Sequence, residues 1–85
     1  MFEKYTSERL LRELPRSLLN FLWYIWETYS NPGETEFHIT LDGDASGQKF
    51  IIHSTGETVT EAFGCHIDAD IVIRKVGARF FMEYR

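Results

Sequence analysis

The sequence has one cysteine, Cys65, so an intramolecular disulfide is excluded. A secreted domain this small would ordinarily carry several. A reducing, cytoplasmic setting is the expectation. Long apolar runs are also missing: the longest, Phe21 to Trp26, falls far short of the ~20 residues that span a bilayer. The opening stretch MFEKYTSERL has no signal-peptide apolar core. Neither membrane insertion nor export is expected. No nucleophile-elbow, P-loop, dinucleotide or zincin pattern occurs, so the chain reads as a non-catalytic protein without a cofactor.

What is present suffices for a fold. The 85 residues allow one domain and one small core. A hydrophobic fraction of 44%, with 15% aromatics, exceeds what a disordered segment carries. Charge is uneven: residues 1–70 hold five Lys or Arg against twelve Asp or Glu, whereas residues 71–85 hold Arg74, Lys75, Arg79 and Arg85 against Glu83 alone. A basic hairpin on an acidic body is expected, and the net charge of -4 disfavours nucleic acid as a partner.

The two prolines, Pro15 and Pro32, bracket the clearest helix, PRSLLNFLWYIWETYS. At 100° per residue Leu18, Leu22, Ile25 and Tyr29 form one stripe, with Phe21 on one side and Leu19, Trp23 and Trp26 on the other. The apolar arc of about 200° is wider than one sheet needs to cover. Before it, YTSERLLREL suits either a short helix capped by Ser7 or an edge strand; the reading adopted is an arm or edge strand over residues 1–14.

Beyond the helix the period becomes two. Phe37, Ile39 and Leu41 share one face of TEFHITLD, as Phe50 and Ile52 do in QKFIIHST. Pairing Leu41 with Phe50 sets Ile39 against Ile52, Asp42 against Lys49 and His38 against His53. Residues 43–48 then form a six-residue loop. ETVTEAF offers a short third strand, and ADIVIRKV and ARFFMEYR make a hairpin at Val76-Gly77. The predicted fold is α+β: one long helix (15–30) packed on an antiparallel sheet of four to six strands (35–85), in a single domain spanning 1–85.

The loop DGDASG resembles the start of a calcium loop. Asp42, Asp44, Ser46 and Gly47 fall at positions 1, 3, 5 and 6, but position 12 is His53 and both flanks read as strands. A turn is the better reading. Among metal-ligating residues, Cys65 and His66 are adjacent and point to opposite faces of an extended chain. Only His38 with His53 has usable geometry for a metal, and a polar surface pair is the reading adopted. Cys65 reads as a small core residue.

The stretches ELPRSLLNFLWYIWE and GQKFIIHSTGE resemble two landmarks of an uncharacterised family, domain of unknown function number 960, from Gram-positive bacteria and their mobile elements. The resemblance falls on Pro15, Leu18, Phe21, Leu22 and Trp23 in the helix and on Gln48, Ile52 and His53 in the strand. It implies a bacterial, plasmid or phage setting and supplies no activity.

The function expected is therefore a protein-interaction or regulatory module, as a homodimer or with an unidentified protein partner, through Leu19, Trp23 and Trp26 at the margin of the helix. One alternative is nucleic-acid binding through Arg74, Lys75, Arg79 and Arg85 with Phe81. Another is an acidic surface of Glu34, Glu36, Asp42 and Asp44, clustered near one hairpin, that occupies a basic nucleic-acid site on a host protein.

Overall fold

Pro15 is the N-cap of a helix over Arg16–Tyr29, which ends at Ser30 just before Asn31-Pro32-Gly33. Proline is tolerated there because a helix start has no acceptor for its missing N–H. The computed structural model describes residues 5–85. Within them the elements are α1 (Glu8–Glu13), α2 (Arg16–Tyr29), β1 (Glu36–Asp44), β2 (Gly47–Ile52), β3 (Thr58–Glu61), β4 (Ala69–Val76) and β5 (Arg79–Tyr84). The α+β class is as predicted, but the single long helix is joined by a second.

That second helix corrects the arm or edge strand expected over residues 1–14, of which residues 1–4 lie outside the described residues. Ser7 is the N-cap of α1, its Oγ accepting from the Leu10 N–H, and Glu8 in the first turn suits the positive end of the helix dipole. The strand reading holds only at its edge. Thr6 forms an isolated parallel bridge to Met82, and the Ser7 N–H donates to the Met82 carbonyl at 2.9 Å.

The strands form one antiparallel sheet in the order β3-β2-β1-β4-β5. β1 and β2 pair in the predicted register, with Ile39 opposite Ile52, Leu41 opposite Phe50 and Asp42 opposite Lys49. Their connection is shorter than six residues. Pairing runs on to Asp44 and Gly47, leaving Ala45-Ser46 as the turn. Gly43 is needed inside this ladder: its φ is +149°, and a Cβ there would collide with the Gly47 carbonyl oxygen. At the β4–β5 turn Gly77, at φ +64°, takes the first central position, which a II′ hairpin reserves for glycine.

One hydrophobic cluster joins both helices to one face of the sheet. Leu18, Leu22 and Ile25 of α2 bury against Phe37, Ile39, Leu41, Phe50, Ile52, Ile71, Ile73 and Met82. Truncating such a residue to alanine costs about 2–5 kcal/mol. The wide arc of α2 is thereby explained: the sheet takes its centre, and the N-terminal segment lies beside Leu19 and Trp23, where Leu11 and Leu14 line a small cleft with them. Gln48 is fully buried and its Nε2 donates to the Ile67 carbonyl at 2.7 Å. It thus ties β2 to the segment that carries the chain from β3 back to β4.

Candidate functional site

The helices cover one face of the sheet, so chemistry must be sought at the ends, the edges and the other face. At one end, the C-terminus of α2, the loop after it and the β4–β5 hairpin enclose a groove of about 270 Å³. It is lined by Trp26, Ser30, Glu34, Lys75 and Phe80 among others. Trp26 and Phe80 form its aromatic wall, with ring centroids 4.3 Å apart at 57°, and both are half-buried. The Lys75 ammonium lies 5.9 Å from the Phe80 ring centroid and has no carboxylate partner among the described residues. Glu34 is committed to the loop, accepting from the Asn31 N–H at 2.8 Å. An aromatic surface next to an unpaired cation suits an apolar side chain accompanied by a carboxylate.

Of the three predicted contact residues, only Trp26 reaches this groove. Leu19 and Trp23 are 5% and 2% exposed, because the N-terminal segment covers them, and Trp23 Nε1 donates to Thr6 Oγ1 at 3.3 Å. The apolar margin expected on their side of α2 is therefore closed. Lys75 and Phe80 escaped detection as partners of Trp26 because only the fold brings the hairpin to the end of the helix. The run of aromatics on the hairpin, Phe80, Phe81 and Tyr84, was the available signal.

The uncovered face of the sheet carries a polar network. Arg74 on β4 bridges Glu36 on β1 and Glu83 on β5, and Glu36 in turn accepts from His38 Nε2 at 3.3 Å. Val72 points to this face yet is fully buried, in register between His38 and Glu83. His38 and His53 are neighbours as predicted: the His53 N–H donates to the His38 carbonyl at 3.2 Å. Their ring centroids are 6.3 Å apart, wider than the roughly 5 Å that two imidazoles on one tetrahedral zinc would show. Among the described residues no group of three or more His, Cys, Asp or Glu is placed to hold a metal ion.

The four basic residues do not form one patch. Arg74 is held by two carboxylates, and Lys75 stands over Phe80 on the opposite face of the sheet. Arg79 is exposed at the turn, Phe81 packs edge-on against Tyr5 at 6.3 Å, and Arg85 lies at the far end of β5 beside Asp70. The acidic set is divided as well. Glu34 and Glu36 stand at the start of β1 and Asp42 and Asp44 near its end, about 20 Å apart at the rise of a strand. The expected clustering near one hairpin is thereby corrected.

DGDASG holds the β1–β2 turn, with Ala45-Ser46 at its tip. The Asp44 carboxylate accepts from both the Ser46 N–H, at 2.9 Å, and the Ser46 hydroxyl, at 2.6 Å. These bonds hold its carboxyl below the usual range. Cys65 is half-buried against the core. No helix is long and apolar enough to cross a membrane among the described residues. Compared with family models, curated proteins and solved structures, the chain matches none.

Proposed function

We propose that this chain is a small protein-interaction module that acts without catalysis and takes a partner protein in the Trp26–Phe80 groove. The observation that carries the reading is the pairing of two half-buried aromatics in one concavity with Lys75, which has no carboxylate partner among the described residues. Tryptophan and other aromatics in pockets dominate binding energy at protein interfaces. The partner presents an apolar side chain to the aromatic wall and a carboxylate to Lys75. A bacterial or mobile-element origin belongs to this proposal through the family resemblance, which adds no activity to it, and a cytoplasmic setting through the single cysteine.

The dispersal of Arg74, Lys75, Arg79 and Arg85 over two faces and both ends of the hairpin gives the nucleic-acid reading less support. Affinity capture from the source cell with the intact chain, Trp26→Ala and Arg79→Glu tests the proposal. One discrete protein should be retained by the intact chain and by Arg79→Glu and lost with Trp26→Ala. Retention that follows Arg79 instead, and disappears after nuclease treatment, overturns it.

A further inference from the structure

We propose that the outer edge of β3, at the opposite side of the sheet from β5, adds an extended basic segment of a partner protein as a sixth strand. The segment has an apolar residue flanked two positions away on each side by Lys or Arg. This surface is distinct from the aromatic groove. The two sheet edges are unlike. β5 is bridged by Thr6, and its Met82 carbonyl accepts from the Ser7 N–H, whereas among the described residues β3 pairs with β2 alone.

The backbone of β3 is presented in alternation. The Ile52 N–H donates to the Glu57 carbonyl at 2.8 Å, and antiparallel alternation then directs the N–H and C=O groups of Thr58 and Thr60 away from β2. The edge is short and acidic, and it lacks two of the usual protections: GETVTEA contains neither lysine nor proline. Strand addition to such an edge draws affinity from main-chain bonds and selectivity from alternate side chains.

Those side chains define the partner. Glu57, Val59 and Glu61 alternate on one side of the strand, Val59 half-buried against the core and both glutamates exposed. Neither glutamate has an ion-pair partner among the described residues. An added strand therefore meets two carboxylates with an apolar position between them, and opposite charges directly across a pair stabilise it. A second copy is a poor occupant. Two β3 strands paired about a two-fold axis bring four carboxylates to one seam with nothing basic opposite them.

The test titrates the full isotope-labelled chain with a capped peptide whose central run is Lys-Thr-Ile-Thr-Lys, followed by NMR. The expected result is a shift of the Thr58 and Thr60 amides and slower exchange of their protons with solvent, weakened by added salt. Replacing Glu57 and Glu61 together by Gln, at exposed positions that leave the fold intact, should weaken binding at least about tenfold, the loss of two charge-assisted contacts. Thr60→Pro should abolish it while keeping the pairing with β2, since its N–H points outward.

No shift at millimolar peptide, equal binding of a peptide with Glu in place of Lys, or full binding by the double Gln variant overturns the proposal. Shifts that depend on protein concentration without peptide assign the edge to a second copy and overturn it too. Loss of peptide binding in Trp26→Ala with retention in Thr60→Pro would place the peptide in the groove instead.

Discussion

His53 donates its Nε2–H to the Thr40 hydroxyl, 2.6 Å away, because the single hydroxyl proton of Thr40 is given to Asp70 Oδ1 at 2.7 Å. A hydroxyl that donates to a carboxylate has only lone pairs left for the imidazole. His38 likewise donates Nε2–H, to Glu36. Both rings on the uncovered face are thus fixed in one tautomer by acceptors on β1. Thr40→Val removes the acceptor of His53, and imidazole ¹⁵N shifts should show His53 losing its Nε2–H preference while His38 keeps its own. Stability should fall by no more than about 1 kcal/mol, since water replaces the lost partner of the exposed His53 and Asp70.

Gly43 should tolerate no side chain. Its φ of +149° and the contact a Cβ would make with the Gly47 carbonyl predict that Gly43→Ala loses more than about 1 kcal/mol. Denaturant unfolding measures it. Gly56→Ala, where the φ is +74° and a Cβ would meet nothing within 4 Å, should lose less.

Tyr84 reports the docking of α1 on β5. Burial raises its phenol above the ordinary 10.0; hydrogen bonding to Glu13 and the charge of Glu13 add to this, and Arg9 opposes it. Arg9 also lies 4.5 Å from the ring centroid. A group whose pKa is raised on folding contributes stability that is complete below the unfolded value of 10.0 and lost as pH climbs through the folded one. Glu13→Ala should move the Tyr84 titration, followed by its ring resonances, back towards the ordinary value and reduce that alkaline loss.

The two tryptophans should separate by fluorescence. Trp23 is 2% exposed and bonded to Thr6, whereas Trp26 is half-buried in the groove. Trp26→Phe should leave a blue-shifted emission that iodide barely quenches. Emission from Trp23 that quenches as readily as the intact protein's would contradict the covering of α2 by the N-terminal segment.

The β1–β2 register was legible because only one pairing sets Ile39 on Ile52 and also Asp42 against Lys49, and a one-residue slip would turn every side chain over. Its turn was misjudged because Asp44 and Gly47 are turn formers that pair within the ladder here. The signal of Ser7 for α1 was in the sequence, but six residues show less than two turns of periodicity, and Thr6 does make a strand-like contact. The groove was illegible for another reason. Trp26 reads as the edge of a helix stripe, and its closeness to Phe80 and Lys75 depends on β4 and β5 returning beside β1, an order that no local pattern encodes.

The groove itself is tested most directly by a photo-crosslinking residue at Ser30, on its rim, introduced in the source cell. A single adduct with one other protein, abolished by Trp26→Ala and by Lys75→Glu and unchanged by Asp42→Lys at the other end of the sheet, is the result predicted. The contradicting result is no adduct, or one that persists when Trp26 and Lys75 are replaced.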